Sequence, residues 1–176
     1  QSAGNAWYFA EGTCRPGFDP YICIQNPGSS QAEVTLTYMK GDGSTDSQSL
    51  TVPARSRSTV LPRTKLGTGD DQAHDFSTKV ECTNGQQIVV ERPMYFNYNG
   101  TWTGGHDALG ATAPQTQWYF AEGCTRRGFE TWLCLQNPEG REAQVQVEYM
   151  MENGLTASRT YQVAPWSRGT ILVNGE

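Results

Sequence analysis

The sequence predicts an all-β fold, an antiparallel β-sandwich repeated in tandem with its second copy incomplete. Three observations carry that expectation. Apolar and polar residues alternate with period two, as in Glu33-Val34-Thr35-Leu36-Thr37-Tyr38, the pattern of a strand with one buried and one wet face. Turn formers are frequent, with 19 Gly and 9 Pro in 176 residues. A long block of sequence also recurs at one fixed spacing.

Trp7-Tyr8-Phe9-Ala10-Glu11-Gly12 returns as Trp118-Tyr119-Phe120-Ala121-Glu122-Gly123. The match then runs on without a gap. Gly17-Phe18 answers to Gly128-Phe129, and Cys23-Ile24-Gln25-Asn26-Pro27 to Cys134-Leu135-Gln136-Asn137-Pro138. Val34, Leu36, Tyr38 and Met39 answer to Val145, Val147, Tyr149 and Met150, and Ser56-Arg57 to Ser167-Arg168. About 25 identities over about 58 positions at one offset signal internal duplication. The repeat unit is about 111 residues. Residues 1–117 are expected to form one complete sandwich, and residues 118–176 the first half of another, reaching the position opposite Lys65.

In the first copy, Glu33–Tyr38, Ser49–Val52 and Arg57–Leu61 read as successive strands, and each has a counterpart 111 residues on. Gly41-Asp42-Gly43 and Glu152-Asn153-Gly154 read as hairpin turns, because Asp-Gly and Asn-Gly accept positive φ. Asn26-Pro27 and Asn137-Pro138 stop the strands that run through Cys23 and Cys134. Phe76–Cys82 and Gln87–Phe96 read as two further strands, with Pro93 expected at an edge or a bulge. Short strands at this spacing, without an amphipathic helix, fit an Ig-like sandwich of seven or eight strands. The Trp of each Trp-Tyr-Phe motif is expected in the core.

The bulk properties exclude several functions. Net charge is −5, and the 13 Lys and Arg form no basic run, so no nucleic-acid partner is expected. No apolar stretch approaches the ~20 residues of a membrane span. Five cysteines in a Gly- and Ser-rich chain fit an oxidising compartment. Removal of an upstream signal peptide would explain a start at Gln1, and so would trimming. An extracellular or cell-surface location is expected. The pairs Cys14–Cys23 and Cys124–Cys134 enclose similar loops and are expected as disulfides, the alternative being free buried thiols. Cys82 remains as a buried strand thiol. There is no CxxC, and only two His are present, so neither a metal nor a cofactor is expected.

Three clusters are candidates for chemistry. Asp70-Asp71-Gln72-Ala73-His74-Asp75 concentrates carboxylates but lacks the Gly of a calcium loop, and reads as a solvated acidic loop. Residues 97–107 place Tyr98, Trp102, His106 and Asp107 on a Gly-rich loop that would suit a sugar. The alternative is a hairpin whose aromatics cover the end of the module. Asn99-Gly100-Thr101 fits an N-glycosylation sequon. Glu11, Arg57, Glu91 and Arg92, with Glu122 and Arg168, read as paired, partly buried ions. Trp132 and Trp166 replace Tyr21 and Arg55 of the first copy, which marks them as exposed contact aromatics. The standard hydrolase, phosphate-loop and dinucleotide motifs do not occur, so no enzyme is expected.

The set Trp-Tyr-Phe-Ala-Glu-Gly, Gly-Phe, Gln-Asn-Pro, Val-Glu-Arg-Pro-Met-Tyr-Phe at 90–96 and Gly-Gly-His at 104–106 is similar to a tandem repeat of secreted and surface proteins of bacteria. The resemblance implies an extracellular β-sandwich array without catalytic activity. It implies no ligand.

Half a sandwich exposes an apolar face and open strand edges. Three completions are open. The chain is a fragment of a longer protein, or the half pairs with residues 7–64 into one pseudo-symmetric domain, or another subunit supplies strands and the chain self-associates into a filament. The leading expectation is a structural cell-surface protein. Its rival is a carbohydrate-binding or adhesion module that takes a glycan through Tyr98, Trp102 and His106.

Overall fold

The computed structural model describes residues 2–176. It is built almost wholly from antiparallel strands. The first copy contributes β1 (Ala6–Phe9), β2 (Phe18–Pro20), β3 (Ile22–Asn26), β4 (Ala32–Lys40), β5 (Thr45–Val52), β6 (Ser56–Val60), β7 (Phe76–Cys82), β8 (Val89–Tyr98) and β9 (Trp102–Leu109). A single helical turn, α1 (Arg63–Leu66), and a 3-10 turn at Gln72–His74 connect β6 to β7. The second copy contributes β10 (Trp132–Asn137), β11 (Ala143–Met150), β12 (Thr156–Val163) and β13 (Ser167–Leu172).

Two sheets enclose the core of the first copy. One runs β1-β7-β4-β5; the other runs β2-β8-β3-β6, with β9 on the far edge of β8. The alternation of β4 turns Val34, Leu36 and Tyr38 inward, onto Trp7, Phe9, Ile22, Ile24, Phe76, Val80, Ile88 and Val90. Burial of such side chains stabilises by roughly 1.5–3 kcal/mol each, which is why period two, once set, fixes the register. The Trp7 indole N–H donates to the Ile88 carbonyl at 3.0 Å, so its one polar atom is satisfied inside the core. Gly43, at φ +83°, makes the β4–β5 turn, and Gly154, at φ +81°, makes the matching β11–β12 turn.

Pro93 lies within β8 rather than at a sheet edge. It is tolerated because the neighbouring chain breaks there. β8 pairs with β2 at Met94–Phe96 and with β3 at Val89–Glu91, and Tyr21 between them donates to the Pro93 carbonyl at 2.9 Å. In a strand the N and C=O of one residue point to the same side, so the missing Pro93 donor faces the break.

The second copy forms two separate ribbons, β10-β13 and β11-β12. Among the described residues, neither is hydrogen-bonded as a strand to a sheet of the first copy. β13 instead lies against β4 and β7. In the first copy β4 is flanked by both β5 and β7, whereas among the described residues β11 pairs only with β12. Trp118 departs from expectation for the same reason. Trp7 is fully buried, whereas Trp118 is 55% exposed, because nothing in residues 118–176 corresponds to the β7 and β8 that cover Trp7.

Candidate functional site

The densest charged cluster lies where the two copies meet. Glu11 follows β1, and Arg92 points from β8 toward the core side of its sheet, in phase with Val90 and Met94. Arg92 Nη2 donates to Glu11 Oε2 at 2.8 Å, and only 3% of the Arg92 side chain is exposed. His106, opposite Met94 on β9, places Nε2 3.2 Å from the same carboxylate oxygen and 3.1 Å from Arg92 Nη1. Burial alone would raise the Glu11 carboxyl. The hydrogen bond with His106 and the charges of Arg92, His106 and Arg168 outweigh it and hold Glu11 at about 2.

Arg168 enters this cluster from the second copy. It points outward from β13, alternating with the buried Ser167 and with Gly169. Its guanidinium donates to the Gly12 carbonyl and, at 3.5 Å, to the Phe76 carbonyl, and it lies 4.0 Å from Asp75 and 3.3 Å from the Cys134 sulfur. Only 6% of its side chain is exposed. Two carbonyls and the Asp75 carboxylate of one copy thus receive one cation of the other. The joint has an apolar part as well. Met39 alternates with the core residue Tyr38 and so faces away from the core, yet it is fully buried, as is Ser77, where β13 lies against β4 and β7.

The structure pairs some of the expected ions and not others. Glu11 with Arg92 is a partly buried pair, and Arg168 is buried. Arg57, the counterpart of Arg168, is exposed on β6 and donates only to Thr59 Oγ1 at 3.2 Å.

The aromatic hairpin is real but divided. Asn99 and Gly100, at φ +53° and +66°, make the turn between β8 and β9, and Tyr98 stacks on Trp102 with ring centroids 5.7 Å apart. Phe18 packs on Tyr98, and Phe96 packs near His106. Trp102, Gly104 and His106 share one face of β9; Asp107 falls on the other by alternation. The expected His106–Asp107 pair is therefore split by the sheet, and His106 turns to Glu11 instead. Trp132 and Trp166 are about half exposed on the second copy. Trp166 occupies a left-handed turn position, at φ +51°, as Arg55 does at +53°.

The expected disulfides Cys14–Cys23 and Cys124–Cys134 are not formed; all five cysteines are free. Strand alternation gives the reason. Cys14 is buried in the core, whereas Cys23 lies between Ile22 and Ile24 on β3 and so points to the outer face, 3.8 Å from Thr59 Oγ1. Cys134 likewise faces outward, onto Arg168. Burial pushes the Cys14 thiol up to about 11, which leaves it inert at neutral pH. Cys82 is a buried strand thiol, as expected.

The acidic loop is structural. Asp71 caps the 3-10 turn at Ala73 N and meets His74 Nδ1 at 2.7 Å, while Asp70 and Asp75 hold Arg15 at 2.7 and 2.8 Å. Among the described residues, no three His, Cys, Asp or Glu are placed to hold a metal ion. No described helix is long and apolar enough to cross a membrane.

The comparisons bear on the fold. The crystal structure of Thermotoga maritima 1070 superposes with a TM-score of 0.53 at 15% identity, covering 63% of this chain and 96% of that one. The chain is an all-β antiparallel sandwich. The Anabaena sensory rhodopsin transducer aligns with a TM-score of 0.43 at 29% identity, covering 52% of this chain and 98% of the other. No family model matches the chain, and no curated protein matches it.

Two features escaped the sequence reading. Asn26 and Asn137, read only as strand stops, are buried. The Asn26 amide donates to the Ser30, Val52 and Pro53 carbonyls, and the Asn137 amide to those of Arg141, Val163 and Ala164. The second is the outward methionine. Met39 and Met150 break the alternation in the same way in both copies, and that was the available signal for the joint.

Proposed function

We propose that this chain is a non-enzymatic, extracellular structural protein of the cell surface, a repeat module that self-assembles through its second copy. One observation carries the reading. The second copy repeats the strands of the first but leaves open the edge of β11 that corresponds to the edge of β4 held by β7. The inward positions of β11 are only half-buried, and Trp118, Tyr119, Phe120 and Phe129 of the same copy are exposed. Apolar area of this extent beside an unpaired edge favours strand addition from outside. A contact that joins unlike faces builds a ring where its rotation closes and a filament where it does not, and the filament is the product proposed. The extracellular assignment rests on the resemblance to bacterial surface repeats and on composition. The free cysteines do not add to it.

Size-exclusion chromatography with light scattering across a hundredfold concentration range, followed by negative-stain microscopy, tests the assembly. Concentration-dependent polymers are expected. A stable monomer throughout would overturn it.

The stacked Tyr98–Trp102 pair favours a second reading, a glycan-binding hairpin, because Trp102 remains 45% exposed at the tip. Binding on a glycan array that Trp102→Ala abolishes would support that reading over the first.

A further inference from the structure

We infer that copies of this chain join head to tail through a salt-bridged joint in which Arg57 of one chain meets the Glu122–Gly123 corner of the next. This rests on the self-assembling reading and names the surfaces that carry it. The argument is one of equivalence. Inside the chain, the outer face of β13 is docked on the first copy. Arg168 reaches the Gly12 carbonyl beside Glu11, and Met39 is covered. Arg168, Gly12, Glu11 and Met39 each have a counterpart 111 residues away that is uncovered, whereas Asp75, Phe76 and Ser77 of the joint have none within residues 118–176. Arg57 and Thr59 of β6, matching Arg168 and Thr170, face solvent. Glu122 and Gly123, matching Glu11 and Gly12, are exposed, and Met150, matching Met39, is 71% exposed.

One chain therefore carries a donor face on its first copy and an acceptor corner on its second. The two are complementary, because their equivalents already meet through the Arg168–Gly12 hydrogen bond, with the charge of Arg168 acting on Glu11 beside it. The charges are opposite, Arg57 against Glu122. Beside the corner lies an open depression of about 340 Å³ lined by Glu122, Gly123, Phe129 and Trp132, among others. A donor and an acceptor at different places on one molecule make a heterologous contact, which joins copies head to tail. The occupant of each face is a second copy of this chain.

Sedimentation velocity on this chain, with Arg57→Glu and Glu122→Arg variants, tests the joint. Both positions are exposed, so the folds survive and circular dichroism checks them. The wild-type chain is expected to associate with concentration. Each variant alone sets like charges across the joint and is expected to weaken association by about tenfold or more. Mixing the two variants restores opposite charges at every joint and is expected to recover association. Polymers that form equally well from either variant alone would overturn the joint while leaving assembly by strand addition standing. A wild-type monomer at every concentration would overturn both. Failure of the mixture to associate, with both variants impaired, would also overturn the pairing.

Discussion

The two copies share their strands, their turns and their buried asparagine, yet they end in different physical states. In the first copy every apolar position of β4 that points inward is buried; in the second, the matching positions of β11 are only half-buried. The local chemistry is the same, so the difference comes from neighbours. β7 and β8 cover the first copy, and no counterpart of them lies within residues 118–176. The outer faces are reversed. Arg168 is covered by the first copy and Cys134 lies under it, while Arg57 is exposed and Cys23 is half-buried beside Thr59. Local structure is thus set within some fifty residues, whereas burial, and with it stability, is set by what packs on top.

The largest test of that contrast is the motif tryptophan. Trp7→Ala removes a fully buried indole and its hydrogen bond to Ile88, and should cost about 3–5 kcal/mol in urea unfolding. Trp118→Ala removes a half-exposed ring and should change the unfolding of the dilute protein by less than about 0.5 kcal/mol. Equal losses would mean that the second copy is covered in solution as the first is.

The joint comes next. Arg168→Ala leaves the Gly12 and Phe76 carbonyls without their donor and takes the second cation from Asp75, so the second copy should loosen by about 2 kcal/mol, with faster amide exchange in β10 and β13. Arg57→Ala, which removes only the contact with Thr59, should be silent in the monomer within about 0.5 kcal/mol. If the two substitutions behaved alike, the joint would carry no energy.

Glu11 gives the joint a pH dependence. Its carboxyl is held at about 2, against an ordinary 4.5, so the folded state favours the ionised form. That contribution is complete above pH 4.5 and is lost as pH falls toward 2. Because Glu11 is about one-third exposed, solvent screening limits it to about 1–2 kcal/mol. Glu11→Gln should lower stability at neutral pH by that amount and flatten the stability profile between pH 4.5 and 2. A parallel shift of the whole profile would exclude the carboxylate as its source.

Fold class was legible because alternation and turn chemistry act locally. Phe76–Cys82 was read with the bounds it has, since each end carries a turn signal. The cysteines misled for a reason that alternation itself contained. Cys23 is out of phase with Ile22 and Ile24, so it could not share the interior with Cys14. The aromatic loop was read as a site because its residues are adjacent in sequence; the pleat then put His106 and Asp107 on opposite faces. The joint was legible only in part. The recurrence of Arg57 and Met39 was visible, but which copy would be covered depends on how residues 110–131 carry the chain from one unit to the next, and no periodicity encodes that path.

The same alternation yields the smallest and cleanest test, one of reactivity. Cys23 and Cys134 are equivalent outward thiols on equivalent strands. Cys134 lies under Arg168 at the joint, and burial there raises its thiol despite the nearby guanidinium. A thiolate is the reactive form, so Cys134 should react slowly with an alkylating reagent. Cys23 has only Thr59 beside it and should react first, with Cys14 slowest. Mass mapping after brief alkylation gives the order. In the Arg168→Ala protein the rate at Cys134 should rise toward that at Cys23, because the joint that shields it has opened, while Cys14, inside the intact first sandwich, should not change. An unchanged Cys134 would mean that its cover comes from elsewhere than the Arg168 joint, and that the two copies differ by less than their burial implies.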